Sequence, residues 1–398
     1  MEKVRFGVIG IGQIGTYHVK NLLQGKIENG TLGAVCDINP ERIEWVHALG
    51  SDGSMPSGAG VSAFSDYREM YASGLIDAAI VAVPHYLHPK MTIDGLQAGL
   101  HMVTEKPAGV YTKQVKEMNA AAEKSDKLFS LMFNQRTNCV YRRMRELVHD
   151  GTIGEVKRVN WIITTWYRAQ SYYDSGSWRA TWKGEGGGVL FNQSPHQLDL
   201  LQWVLGMMPD KVRSFCHFGK WHNIEVEDDV TVYMEFPNGA TGVFVTSTAD
   251  APGTNRFEIL GTKGKLVCEG ETLKLTMLDT DEREFCYAHD GGQGQPTFHD
   301  VPVETDGKNP QHVGILNNFA NAVLGIEPLF VDGREGLNGV ELMDSMLLST
   351  WLDKEITLPI DDELYLSELE KRISESKSHG ESGILLDANN SLFDNGKV

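Results

Sequence analysis

The sequence contains no run of 18 or more apolar residues, which excludes a membrane-spanning helix of the usual kind. Its cysteines are few and scattered. Cys36, Cys139, Cys216, Cys268 and Cys286 are odd in number and form no CxxC, so reduced thiols are expected and a disulfide framework is not. No cluster of His, Cys and carboxylates has metal-ligand spacing, so no metal is expected. Positive charge is scarce: 36 Lys and Arg against 54 Asp and Glu leave a net charge of -18. Such a field disfavours nucleic acid and acidic membrane surfaces as partners, though it permits a local basic pocket. The start, "MEKVRFGVIG", lacks signal-peptide anatomy and runs straight into a strand pattern. Together with the reduced thiols this makes the cytoplasm the expected location. No internal repeat is visible.

What remains is ordinary soluble composition, 41% hydrophobic and 23% charged over 398 residues, a length that suggests two domains. Residues 3 to 130 alternate between strand and helix patterns: "VRFGVIG", "LGAVCD", "IDAAIVAV", "LHMVTEK" and "LFSLMF" read as buried strands, with helical spacing between them. That rhythm implies a doubly wound parallel sheet. Beyond about residue 150 the strands become long and rich in Val, Thr and aromatics, with "PNG" and "TKG" as turn signals, which predicts a large open, mostly antiparallel sheet. Helices at 195–205, 311–324 and 333–351 are expected to cover one face of it. The segment "ELYLSELEKRISESKSHG" reads as a charged amphipathic helix, and the last residues as loosely ordered.

The first candidate site is "FGVIGIGQIGTYH", a G-x-G-x-x-G formed by Gly10, Gly12 and Gly15 that follows a strand and opens a helix. Gly10 allows the tight turn, Gly12 lets backbone N–H groups approach a pyrophosphate, and Gly15 lets helix and strand pack closely. Gln13 and Ile14 lie on the same turn. Asp37 ends the second strand, 22 residues after Gly15, where a carboxylate accepts hydrogen bonds from ribose hydroxyls and repels a 2′-phosphate. This favours NAD over NADP, although Arg42 is close enough to blur the preference.

The stretches "VPHYLH" and "AGLHMVTEKP", then "SLMFNQRTNCVYRRMRELVHDGTIGEV", "EILGTKGKL" and "NNFANAVLGIEPLFVDGREGLNGVELMDSMLLSTWLDKEITLP", resemble the Gfo/Idh/MocA family of sugar and inositol oxidoreductases over roughly residues 3 to 360. The resemblance implies an NAD-binding Rossmann domain (1–130), an α+β substrate and oligomerisation domain (131–363) and a C-terminal helical tail (364–398). It implies that Lys106 of "EKP" lies beside nicotinamide and substrate, with a Lys106–Pro107 bond that is often cis. It matches His196 to the family's usual acid/base histidine. It places Asn192 where the family usually has aspartate, which makes Asn192 a substrate hydrogen-bond partner, and it assigns Asp199 a role in supporting the helix. Val83, Pro84, His88, Glu105 and Lys106 are the strand-end candidates for contact with the cofactor. His88 also reads as a brace for its loop, and His85 as a contact to ribose or substrate.

Histidine titrates near neutral pH and suits removal of a hydroxyl proton, and a lysine beside the oxygen stabilises a developing alkoxide. For His196 the plainer alternative is a hydrogen-bonded core histidine, and for Lys106 a surface lysine in a strand-end loop. In "EGGGVLFNQSPHQLDLLQW" Ser194 reads as an N-cap with Pro195 at the first helical position, and the triple glycine as a hinge that lets substrate and nicotinamide approach the backbone. The stretch "TTWYRAQSYYDSGSWRATWKG" gathers Trp166, Tyr167, Arg168, Tyr172, Tyr173, Trp178, Arg179, Trp182 and Lys183. Either it forms a substrate wall, since aromatic faces stack on sugar rings and arginine forks bind anionic groups, or it packs the domain or an interface. Asn134, Arg136 and His312 are further substrate-side candidates.

Three functions are compatible with these residues. The first is an NAD-dependent dehydrogenase acting on a secondary hydroxyl of a sugar, inositol or glycoside. The second is a redox-neutral NAD-dependent glycosidase working by oxidation, elimination, hydration and reduction. The third is a non-enzymatic dinucleotide sensor, against which the presence of both Lys106 and His196 argues. A homo-oligomer, dimer or tetramer, is expected by resemblance, because the family often pairs its open sheets face to face.

Overall fold

A computed structural model of the chain describes residues 2–51, 53, 56–176 and 178–376. The apolar runs of the first third become six strands: β1 (Val4–Ile9), β2 (Gly30–Cys36), β3 (Ser62–Phe64), β4 (Ala78–Val81), β5 (His101–Thr104) and β6 (Phe129–Leu131). All pair in parallel, in the order β3-β2-β1-β4-β5-β6. Central β4 is buried at every position, which is why "AAIV" carries no polar alternation. The winding reverses between β1 and β4, so a crevice opens beyond the carboxyl ends of these strands, where such sheets bind ligands.

The second sheet has nine strands: β7 (Val156–Ile163), β8 (Lys211–Phe218), β9 (Glu227–Glu235), β10 (Thr241–Ser247), β11 (Asn255–Gly261), β12 (Gly264–Glu269), β13 (Thr272–Leu278), β14 (Phe298–Val301) and β15 (Ile356–Thr357), in the order β14-β13-β12-β11-β7-β10-β9-β8-β15. Every pair is antiparallel except β7 with β10. Burial alternates along the central strands: Val230, Val232 and Met234 are fully covered, whereas Thr231 and Tyr233 between them face outward. On the covered side Trp161 stacks on Phe257 with ring centroids 4.0 Å apart.

The helices Pro195–Leu205 and Gly336–Leu352 pack together behind this sheet, and Ser214 of β8 bonds to Met346 and Ser349 of the second. The helix Gln311–Val323 does something different from the expectation. It packs on the first domain: Phe319 meets Phe6 of β1 at 6.2 Å, and Asn317 accepts from the Glu28 amide at 2.8 Å. Its apolar stripe of Ile315, Leu316 and Phe319 is buried, and the Phe319 and Asn317 contacts tie the two parts of the chain together. The helix Asp362–Glu375, capped by Asp361, also bridges them. Lys113 and Lys116 of the first domain pair with Glu363 and Asp362 at 2.7 Å, and Tyr365 and Leu369 are fully buried. The part of the expected tail from residue 377 to 398 lies outside the described residues. Among the described residues, no helix is long and apolar enough to cross a membrane.

Candidate active site

The glycine-rich turn separates into two kinds of glycine. A Cβ on Gly10, whose φ is +84°, would stand 2.4 Å from the Ala82 carbonyl oxygen, and one on Gly15 would stand 1.8 Å from the Gly10 carbonyl oxygen. The chain itself demands both. A Cβ on Gly12 would meet no atom within 4 Å, so the fold does not require glycine there. That open space lies at the start of the helix Gln13–Leu23, whose N-cap supplies no side-chain hydrogen bond to the first-turn amides. Asp37 is 5% exposed at the end of β2; it accepts from the Ile11 amide at 2.6 Å and the Asn39 amide at 2.8 Å, with Arg42 at 3.2 Å. Free helix amides beside open space, faced by a carboxylate, fit a dinucleotide: pyrophosphate on the turn and ribose hydroxyls on Asp37. Gln13 is exposed and Ile14 half-buried on that turn. Val83 overhangs Gly10, and Pro84 is exposed next to it.

His88 is otherwise engaged. Its Nδ1 faces the Pro107 carbonyl at 2.7 Å and its Nε2 the Val83 carbonyl at 2.8 Å, so neither ring nitrogen is left for a cofactor. Its assignment as a cofactor contact is therefore corrected: it braces two loops of the crevice. Glu105 turns inward, its Oε1 2.7 Å from His18 Nε2. Burial pushes its carboxyl up, but the His18 ring and the charges of His312 and Lys106 hold it down to about 2. His312 lies edge-on to His18 at 5.8 Å and is kept near 4 chiefly by burial.

The Lys106–Pro107 peptide is cis, and partly buried Lys106 donates from Nζ to the Asn192 carbonyl at 2.6 Å. Burial lowers its ammonium from the ordinary 10.5, opposed by Glu105 and Glu185. His196 lies in the first turn of the helix Pro195–Leu205. Burial, then the charges of Lys106 and His312, hold its ring well below 6.5, and its buried Nδ1 has no protein partner. Ser194 stands at the N-cap but makes no cap hydrogen bond; its hydroxyl pairs with Thr246 at 3.1 Å, because it is fully buried against β10. The triple glycine is not a hinge for ligands. A Cβ on Gly186, Gly187 or Gly188 would stand 2.1 Å from Val110, 2.3 Å from Phe191 or 2.0 Å from the Glu227 carbonyl oxygen, so the chain's own packing demands all three. Glu227 Oε1 accepts from the Gly188 and Leu190 amides and holds this turn in place.

The aromatic-basic stretch divides. Arg179 donates to Tyr172 Oη at 2.9 Å, and Tyr172 donates to Asn192 Oδ1 at 3.3 Å. Arg168 and Arg179 flank the Tyr172 ring at 5.0 and 4.6 Å, and Trp178 meets His85 edge-on at 5.9 Å. Trp166 is half-buried and Tyr167 exposed beside them, and Lys183 is exposed. Arg168, Tyr172 and Arg179 converge with Asn192 and Lys106. Trp182 does not. It is 6% exposed, packed between Phe218 and Trp351, because its ring completes the core behind the loop. Tyr173 is likewise buried, on Thr248. Arg136 is fully buried, forked onto Asp199 at 2.6 and 2.8 Å and reaching Glu335 at 2.7 Å. All its charge is spent on that network, so it is structural, and Asp199 supports its helix through it. Asn134 is buried on Gln311. The residue that sequence reasoning passed over is Glu185, 2% exposed, whose carboxylate accepts from Asn192 Nδ2; a carboxylate immediately before a packed triple glycine was the available signal.

Residues 4–133 match the model of an oxidoreductase family with an NAD-binding Rossmann fold, and residues 141–267 match the GFO/IDH/MocA C-terminal domain. The chain belongs to the Gfo/Idh/MocA family. It is 26% identical over 341 residues to myo-inositol 2-dehydrogenase of Thermotoga maritima, covering 84% of this chain and 92% of that one. It is 28% identical to D-glucoside 3-dehydrogenase of Escherichia coli over 268 residues, 62% of this chain and 70% of that one. Among solved structures, the WlbA dehydrogenase of Bordetella pertussis in complex with NADH and UDP-GlcNAcA superposes with a TM-score of 0.74 at 27% identity, covering 90% of this chain and all of that one. As a Gfo/Idh/MocA oxidoreductase the chain has NAD as its cofactor.

Proposed function

We propose that this oxidoreductase is a dehydrogenase that oxidises a secondary hydroxyl of a sugar, inositol or glycoside, with Lys106 and His196 at the reacting oxygen. The observation that carries the reading is that a strand-end lysine from one domain reaches the turn leading into a helix-start histidine from the other: Lys106 Nζ rests on the Asn192 carbonyl, four residues before His196. When bound, NAD supplies the hydride acceptor. The ammonium of Lys106, seated on the Asn192 carbonyl, donates to the substrate oxygen and stabilises the charge that develops there. His196, neutral at physiological pH, takes the hydroxyl proton at Nε2, since Nδ1 is buried. Tyr172, Trp178 and Asn192 offer one aromatic and polar wall for a ring, and Arg168 with Arg179 favours a substrate that carries an anionic group.

The test mixes the protein with NAD and a panel of inositols, sugars, uronates and glycosides. NADH accumulation with at least one member, lost in Lys106→Met and His196→Ala while NAD still binds, supports the reading. Free aglycone without NADH would replace it by a redox-neutral glycosidase, and neither product across the panel would overturn it.

We also propose that the open face of the second sheet pairs with another copy. Phe215, Tyr233 and Ile162 lie there 53%, 41% and 40% exposed, an apolar surface that favours cover. Light scattering that gives a dimer or tetramer, converted to monomer by Phe215→Glu, supports this; a monomer in the unaltered chain overturns it.

A further inference from the structure

Glu185 is a buried carboxylate with an unusual position in the site. Its Oε2 accepts from the Ala180 amide at 2.6 Å, and its Oε1 accepts from Asn192 Nδ2. Its own carbonyl faces His85 Nδ1 at 3.2 Å, and Arg179 lies 4.0 Å from Oε1. Arg179 in turn anchors the Tyr172 hydroxyl that donates to the other side of the Asn192 amide. Asn192 is thus gripped from both sides, and its main-chain carbonyl is the group on which Lys106 rests. Burying a carboxylate is costly, and two neutral donors with an arginine at the edge of ion-pair range offset the cost only in part.

We propose that Glu185 is the positioning carboxylate of this site: it clamps Asn192 under Lys106 and supplies the negative charge that faces that ammonium. The proposal deepens the dehydrogenase reading and rests on Lys106 having a role at the reacting oxygen. Two carboxylates bear on Lys106, Glu105 from the end of β5 and Glu185. Glu105 has the larger influence and is bonded to His18, whereas Glu185 is the carboxylate that also holds the Asn192 amide. The opposing charges are Arg168 and Arg179 from the aromatic loop. The rings of His85 and His88 from the β4 loop, His196 and His312 complete the titratable surroundings, and burial holds all four below their ordinary range. Removing the Glu185 charge leaves Lys106 facing two arginines with Glu105 as the remaining carboxylate.

The experiment measures the pH midpoint at which Lys106 becomes reactive to acetic anhydride, followed by mass spectrometry on the full chain with and without NAD. It requires no turnover. Glu185→Gln is expected to move the midpoint down by about one pH unit, a tenfold change in protonation. The exchange Glu185→Gln with Asn192→Asp is expected to restore it. In that double variant the amide introduced at position 185 donates to the carboxylate introduced at position 192. The oxygen of that amide still accepts from Ala180, and the carboxylate still accepts from Tyr172, so the hydrogen bonds survive while the charge shifts by one side chain. An unchanged midpoint in Glu185→Gln overturns the proposal, as does a shift that the exchange leaves in place. Should Glu185→Gln fail to fold, Glu185→Asp, which withdraws the charge by one methylene, is expected to give a smaller downward shift, and none would overturn it. A labelling shift in a protein that forms NADH with none of the substrates offered would overturn the dehydrogenase reading and leave this one standing.

Discussion

The ammonium of Lys106 sits 2.6 Å from the main-chain carbonyl of Asn192, and this contact joins the end of a Rossmann strand to the turn that precedes the His196 helix. It brings Lys106 to the turn that leads into His196, so the proposed chemistry depends on how the two domains are held together as much as on either group.

The two kinds of glycine make opposite predictions. Gly12→Ala meets nothing in the chain and is expected to unfold at the same temperature as the parent while losing NAD affinity. Gly15→Ala drives a Cβ into the Gly10 carbonyl and is expected to cost about 3 kcal/mol or more of stability. Thermal unfolding alongside NAD titration separates the two.

Asp37 decides between cofactors. Asp37→Ser removes the carboxylate that repels a 2′-phosphate and frees Arg42, now 3.2 Å away, to bind one. NAD affinity is expected to fall roughly 10-fold or more, the scale of one charged hydrogen bond, while NADP affinity rises. Fluorescence titration with both dinucleotides checks it.

The acid side of the pH–rate profile should lie unusually low. His196, the proposed base, acts when deprotonated, and burial holds its ring well below 6.5. The fall in kcat/KM on acidification is therefore expected below pH 6.5, at the depressed ring value. A limb at or above 6.5 in the free enzyme would remove His196 from the role of base.

Glu227 makes stability fall as pH rises. Burial pushes its carboxyl from 4.5 to about 8, so the folded chain keeps a proton that the unfolded chain releases. That stability is fully present below about pH 4.5 and is lost through about pH 8, a change on the order of a few kcal/mol. Glu227→Gln keeps an acceptor for the Gly188 and Leu190 amides and should flatten this dependence. Denaturant unfolding at pH 6 to 9 measures it; an equal slope in the variant sinks the assignment.

Arg179 and Trp182, three positions apart, should behave differently. Arg179→Ala is expected to lower turnover with NAD binding intact, since it releases Tyr172 and Asn192. Trp182→Ala empties a packed space between Phe218 and Trp351 and is expected to cost about 3–5 kcal/mol of stability. Steady-state kinetics and chemical unfolding distinguish them.

The glycine-rich turn, the acid that ends the second strand and the parallel Rossmann sheet were legible because local geometry writes them directly. A tight turn needs Gly10, a close helix needs Gly15, and a buried parallel strand needs an unbroken apolar run. The division of the aromatic stretch was not legible. Trp178 and Trp182 are the same residue type on the same loop, and burial between Phe218 and Trp351 is a property of distant segments. The same holds for Arg136, an apparent substrate ligand until Asp199 and Glu335 neutralise it. The triple glycine misled for the opposite reason: flexibility in an isolated chain and tight packing in a folded one call for the same residue.

The sequence by itself determined the family, the parallel Rossmann sheet and its glycine-rich turn, since each is carried by residue type at short spacing. Tertiary structure alone decided that Lys106 rests on Asn192, that Glu185 lies behind Asn192, and that Arg136 and Trp182 belong to the interior. Those outcomes rest on which charges are desolvated together and which surfaces are buried against each other, and both are set only when distant parts of the chain meet.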